Sequence, residues 1–186
     1  IKSHCPDKHG QTDYWLMLML LYTGARIGEI SNITTNDIVC QQGNSYEVRI
    51  WTDLKTKTSK REVPIHRDLI AYGLIDFLQQ NRNRKPLFAV PNKDKAGDRI
   101  SRLLRQAVHG DSNKTGSPRV VCHSLRHNFI SYARQSIQQE ALIKAITGHS
   151  DESVYSVYGG FQSALSQINQ VDFGDGFRKM LNKSAS

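Results

Sequence analysis

The sequence predicts a mainly α-helical chain with a small antiparallel β-sheet, an α+β fold. Three observations carry that prediction. Trp15 to Tyr22 is apolar nearly all round, which a helix tolerates only at the centre of a core. Tyr46–Trp51 and Arg61–Ile65 each alternate apolar with polar, the period of a half-buried strand. After them, helical spacing recurs segment after segment towards the end of the chain.

Residues 1–11 are polar and carry Pro6 and Gly10, as a linker would. Thr12 or Asp13 is placed to cap the apolar helix, and Thr23-Gly24 to end it. Ala25 to Ile30 opens a second helix. In it Arg26 and Glu29 are three apart, so the carboxylate can hold the guanidinium. Residues 32–44 read as turns. The two alternating segments then form a hairpin whose tip, Asp53–Lys60, is rich in Lys and Thr, with Pro64 at a strand end or edge.

Asp68–Gln80 reads as one amphipathic helix, Pro86–Val90 as a short apolar segment and Asp98–Val108 as another helix. Arg99, Arg102 and Arg105 recur every three residues in it, suited either to tracking a phosphate backbone or to a solvated basic face. A Ser/Gly/Asn-rich loop over 111–118 precedes a helix from about His123 to Gln135. Ser136-x-x-Gln139 has the form of a capping box for the next helix, which ends near Gly148. Ser150 or Asp151 is placed to cap a short helix with Tyr155 and Tyr158, broken by Gly159-Gly160. From 161 to 186 the helical pattern weakens, and there is no internal repeat.

The 186 residues suffice for one domain with a core, and 23% charged residues beside 38% hydrophobic exclude a disordered chain. A net charge of +8 favours a polyanionic partner, nucleic acid above all. Cys5, Cys40 and Cys122 are odd in number and far apart, which speaks against a disulfide framework or a zinc site and for a reducing, cytoplasmic compartment. No apolar run is long enough to span a bilayer, so no membrane partner is expected.

Chemistry concentrates around Cys122–Ile130. His123 and Arg126 are three apart at the start of a helix and share a face, an arrangement suited to an oxyanion such as phosphate. His123 and His127 have the i, i+4 spacing of a zinc helix, but the glutamate is missing and Arg126 lies between them, which opposes a dication. His127 reads as structural and Cys122 as buried and inert.

Taken in order, Thr23-Gly24-Ala25-Arg26-Ile27-Gly28-Glu29, the Lys-rich hairpin before Val63-Pro64, His123-Ser124-Leu125-Arg126-His127, and Gly148-His149 with Tyr158 nine residues on resemble the catalytic domain of the tyrosine recombinases, the phage-integrase family. The resemblance covers about residues 12–160. It implies that Arg26 and Arg126 clamp the scissile phosphate, with Glu29 supporting Arg26. His123 and His149 would assist, and Tyr158 would be the nucleophile, with Tyr155 its neighbouring rival. The family's lysine sits on the hairpin: Lys57 is preferred, and Lys55 also qualifies, neither at the usual spacing from Pro64. Weaker DNA contacts are expected from Lys55, Lys60, Arg99, Arg102 and Arg105.

The implied activity is site-specific recombination of double-stranded DNA through a covalent 3′-phosphotyrosine. It needs neither metal nor ATP, and serves integration or excision of a mobile element or resolution of replicon dimers. The implied assembly is a homotetramer on DNA and a monomer without it, with accessory DNA-bending proteins as further partners, in a bacterial or phage setting at the nucleoid. Residues 1–11 would then be a linker from a missing N-terminal DNA-binding domain, and 161–186 a tail able to dock on a neighbouring protomer. The alternatives are a DNA-binding accessory protein with a vestigial site, or a type IB topoisomerase or resolvase with the same chemistry.

Overall fold

The computed structural model describes residues 8–51, 60–88, 90, 93–109, 120–149, 153–176 and 179, and of residues 8–10, 93, 109 and 158 the backbone only. Helix α1 (Lys8–Thr23) is the axis of the molecule. Leu16, Leu18, Met19, Leu20 and Leu21 are each at most 2% exposed, so the helix is covered on every side. Helix α6 (His123–Ser136), helix α2 (Ile27–Ser31) and helix α3 (Arg67–Ala71) pack around it. Trp15 stacks on Phe77, which stacks in turn on Phe88. Truncating any one of these leucines to Ala should cost about 3 kcal/mol, since the surrounding helices cannot collapse into the gap.

The sheet has three antiparallel strands in the order β1 (Ile38–Gln41), β2 (Ser45–Ile50) and β3 (Arg61–Pro64). Ile38 faces Val48 across the first pair, and Ile50 faces Arg61 across the second. Helix α4 (Leu74–Gln80) and helix α5 (Lys93–His109) follow, then α6, helix α7 (Glu140–Thr147), helix α8 (Val154–Tyr158) and helix α9 (Phe161–Ile168). The α+β class expected from the sequence is the one found.

Several local expectations need correction. α1 starts at Lys8, so Thr12 and Asp13 lie inside it rather than capping it. Their side chains work laterally instead: Thr12 accepts a hydrogen bond from Arg84, and Asp13 pairs with Arg99. The stretch 32–44 contains a strand, β1, too short to show an alternation of its own. The single helix expected over 68–80 is two, because Gly73 sits at φ 98°, a left-handed conformation that ends one helix and starts the next. Ser136 belongs to the last turn of α6, and α7 begins after Gln139 with no side-chain cap, so the expected capping box does not form. Helix α8 is capped by Ser153, whose Oγ accepts from the Ser156 N–H, rather than by Ser150 or Asp151, which lie outside the described residues.

The segment expected to be a separate tail is, as far as Phe173, part of the core. Ala164, Ile168, Val171 and Phe173 are all at most 3% exposed. Phe173 lies against Tyr22, with ring centroids 4.1 Å apart. His66 fastens this segment: Nε2 lies 3.1 Å from the Val171 carbonyl while Nδ1 accepts from the Asp68 N–H at 3.0 Å. With one nitrogen accepting and the other donating, the ring is neutral. Burial holds its pKa below the ordinary histidine range, even though the nearby Asp68 acts in the opposite direction.

Candidate active site

Arg26 ends the loop after α1 in an extended conformation and is the residue on which α2 starts. Glu29, in the first turn of α2, turns back on it. Its Oε2 accepts from the Arg26 backbone N–H at 2.8 Å, and its Oε1 from Arg26 Nη1 at 2.9 Å. A carboxylate in the first turn also suits the helix dipole. Glu29 is 1% exposed, and such a burial demands more than one partner. Arg61 is the other. Its Nη2 lies 2.8 Å from Glu29 Oε2, its Nη1 3.3 Å from Oε1, and its Nε donates to the Ile146 carbonyl at 2.6 Å. Burial alone would raise the Glu29 pKa, but Arg61 and Arg26 together hold it below the ordinary carboxylate value.

Arg126 enters from α6. Leu125, Phe129 and Ala133 of that helix are buried against its neighbours, and this fixes the face on which Arg126 lies. The start of α6 is tied to α5, where Ser101 Oγ accepts the Cys122 N–H at 2.8 Å. The guanidinium, 3% exposed, donates from Nη1 to the Gly24 carbonyl at 2.5 Å and from Nη2 to the Thr147 carbonyl at 2.6 Å. Gly24 is required here. Its φ is +61°, and the Phe129 ring fills the place a Cβ would take. Burial, with Arg26 and Arg61 nearby, lowers the Arg126 pKa to about 10, against the pull of Glu29. The group therefore keeps its charge at neutral pH.

His149 follows Gly148, whose left-handed conformation (φ 70°) closes α7. Its Nε2 lies 2.9 Å from Arg126 Nη2, and its Nδ1 3.2 Å from Thr147 Oγ1. Thr147 gives its own proton to the Ile143 carbonyl at 2.7 Å, so its oxygen accepts from Nδ1–H and Nε2 accepts from the arginine. Burial, then the charges of Arg126, Arg26 and Arg61, hold the His149 pKa below the ordinary range, as a neutral ring requires. His123, exposed at the start of α6, meets His127 edge-on with ring centroids 4.8 Å apart. Partial burial comes first in lowering its pKa, followed by the charges of His127, Arg126 and Arg26.

The structure thus gathers Arg26, Glu29, His123, Arg126 and His149 from three stretches of chain, the starts of α2 and α6 and the turn after α7. Lys55 and Lys57 lie outside the described residues. Tyr158 is the last residue of α8, followed by Gly159 at φ 72°; its side chain lies outside the described residues too. Tyr155 is committed elsewhere: its hydroxyl donates to Glu47 Oε2 at 2.5 Å, and burial with that carboxylate raises its pKa. The row on α5 is not uniform. Arg99 is engaged by Asp13 of α1, while Arg102 and Arg105 are exposed, as is Lys60. His127 packs edge-on against the His123 ring. Cys122 is partly covered, and burial pushes its thiol up to about 11.

Two contributors escaped the sequence reading. Arg61 had a signal: it alternates in phase with Val63 and Ile65, both at most 2% exposed, and so points to the buried face. Thr147 had none beyond adjoining Gly148-His149.

The profile of the phage integrase family matches residues 1–162. The chain belongs to that family. Among curated relatives, the tyrosine recombinase XerC of Proteus mirabilis is 30% identical over 145 residues, covering 76% of this chain and 45% of the relative. The transposase from transposon Tn916 of Enterococcus faecalis is 26% identical, covering 89% and 47%. The chain therefore spans about half the length of these relatives. Among solved structures, the integrase of mycobacterium phage Brujita superposes with TM-score 0.59 and 16% identity over all of this chain and 59% of that one. XerA recombinase gives 0.55 and 18%, over 98% and 65%. These likenesses show that the chain shares the fold of those two proteins.

Proposed function

We propose that this chain is the catalytic part of a site-specific DNA recombinase that cuts and rejoins strands through a 3′-phosphotyrosine at Tyr158. One observation carries the reading. Among the described residues, three guanidinium groups, Arg26, Arg61 and Arg126, surround one carboxylate, Glu29, which leaves two positive charges in excess in a largely buried place. Such an excess is unfavourable until an anion arrives. A phosphodiester, whose transition state gathers charge on its non-bridging oxygens, is the anion that two forked guanidiniums fit. Arg26, 30% exposed, would be the outer arm and Arg126 the inner one.

In this reading the Tyr158 oxygen attacks phosphorus, the bond to the 5′ oxygen breaks, and the phosphate stays on the protein through the 3′ end. The tyrosine proton passes to neutral His123, whose lowered pKa leaves it able to accept near pH 7. The departing 5′ oxygen takes a proton from Lys57 or Lys55. The bond is exchanged rather than hydrolysed, so reversal rejoins the strands without ATP, and the arginines take the charge-stabilising place of a metal. Tyr155 is a poor rival, because a phenol hydrogen-bonded to a buried carboxylate is harder to ionise. The XerH site-specific recombinase, solved bound to its difH substrate in a pre-cleavage complex, superposes with TM-score 0.53 and 18% identity over 77% of this chain. That neighbour's DNA substrate supports double-stranded DNA as the partner here; assembly as a homotetramer on paired sites, for integration or excision of a mobile element, is part of the same proposal.

A nicked suicide duplex carrying the cognate site tests this with the full-length protein. Wild type should form a covalent protein–DNA species stable to denaturant, and Tyr158→Phe should form none. A species that persists in Tyr158→Phe would remove Tyr158 from its role. Wild type that binds but never traps would make the chain a DNA-binding accessory protein.

A further inference from the structure

Arg61 is not among the groups that face the phosphate in the recombinase reading. Its side chain is 2% exposed and stands behind Glu29. Yet it joins both halves of the site. Through Glu29, held at 2.8 and 3.3 Å, it stands one step from Arg26. Through Nε it holds the Ile146 carbonyl at 2.6 Å. Ile146 precedes Thr147, whose carbonyl receives Arg126 and whose hydroxyl meets His149. The next residue, Gly148, comes so close that a Cβ there would lie 2.8 Å from Arg61 Nη1. One guanidinium, carried by β3, thus joins α2 to the C-terminal turn of α7, which together carry or anchor Arg26, Arg126 and His149.

Holding the fold alone does not require a charge here. Apolar side chains in place of both Arg61 and Glu29 would avoid the cost of desolvating the pair. What an apolar side chain lacks is the planar fork, which fixes a carboxylate and a carbonyl at set angles to each other. We propose that Arg61 is a positioning residue for strand cleavage: it sets Arg26 through Glu29, and His149 through the end of α7, without touching DNA.

The proposal rests on the recombinase reading for its reaction but not for its geometry, so the test has two arms. In crystal structures without DNA, Arg61→Met should show Arg26 and the 146–149 turn displaced from their wild-type positions while the rest of the fold superposes. Unchanged positions would overturn the proposal whatever the protein catalyses. In single-turnover cleavage of the nicked duplex, Arg61→Met should bind DNA within about 3-fold of wild type and cleave about 100-fold more slowly, the scale of loss that an ångström of misplacement brings. Its rate should also fall off at a higher pH on the acid side, because the charge that helps keep His149 neutral is gone. Arg61→Lys keeps the charge and loses the fork, so it should keep the wild-type acid limb yet remain slow. Full rescue by Lys, or a fall in rate matched by a fall in folded fraction, would overturn positioning. Wild type that fails to cleave would count against the recombinase reading alone, leaving the crystallographic arm to decide.

Discussion

Two regions of this molecule bury polar side chains against backbone carbonyls, and they end in opposite electrostatic states. At the C-terminal segment, His66 donates to Val171 and caps α3, neutral and with both nitrogens engaged. At the centre of the site, Arg61 and Arg126 also hold carbonyls, of Ile146, Gly24 and Thr147, but remain charged. The first region satisfies its polar groups with a neutral ring, and the charges beside it, Arg67 and Asp68, are of opposite sign. The second satisfies its hydrogen bonds and still carries excess positive charge. Hydrogen-bond satisfaction therefore does not separate structural from functional clusters; charge balance does.

The sharpest way to break this comparison is Arg126→Met. Covalent trapping should fall by about 1,000-fold, the loss expected when a buried donor to the transition state is removed. Thermal unfolding should show a much smaller loss than cleavage does, because the desolvated charge that leaves with the side chain offsets the Gly24 and Thr147 carbonyls left without a donor. Equal losses in activity and stability would merge the two regions into one kind. The converse variant is His66→Ala. It should lower stability by about 2–3 kcal/mol in urea unfolding, through an unsatisfied carbonyl, a lost cap and a cavity, while cleavage per folded molecule stays near wild type.

Tyr155→Phe lies between these in effect. It leaves Glu47 buried with Arg49 as its remaining partner, 3.2 Å from Oε1, and should cost about 1–2 kcal/mol. Trapping should persist in it; loss of the covalent species would move the chemistry from Tyr158 to Tyr155. The smallest effect is on pH. His66 and His149 both have pKa values held below the ordinary 6.5. Below about pH 6.5 the unfolded chain binds protons that the folded chain resists, so stability should fall as pH drops through the folded values. Urea midpoints measured from about pH 7.5 to 5 should show that slope, and it should flatten in His66→Gln. A midpoint independent of pH would contradict the neutral assignment of both rings.

What the sequence made legible follows from distance along the chain. Arg26 and Glu29 are three residues apart, and their bond was expected. So was the shared face of His123 and Arg126, since helical spacing is local. Arg61 was not, because its partners lie 32 and 85 residues away. Nothing nearby says that a charged residue in phase with Val63 is buried for a purpose. The strand Ile38–Gln41 was missed because its four residues form a strand only by pairing with β2. The C-terminal segment was read as a tail for the same reason: Val171 and Phe173 gain their burial from Tyr22 and His66, far back in the sequence. The arginine row on α5 is divided by an equally distant partner, since Asp13 takes Arg99 and leaves Arg102 and Arg105 to solvent.

The most direct measurement is the chemistry of the trapped species. Full-length protein incubated with the nicked duplex, digested and examined by mass spectrometry should yield one DNA-bearing peptide. The link should run from Tyr158 to a 3′ phosphate, with a free 5′-hydroxyl on the released strand. A link at Tyr155, a 5′-phosphate attachment, or no adduct from a protein that binds its site would contradict the account.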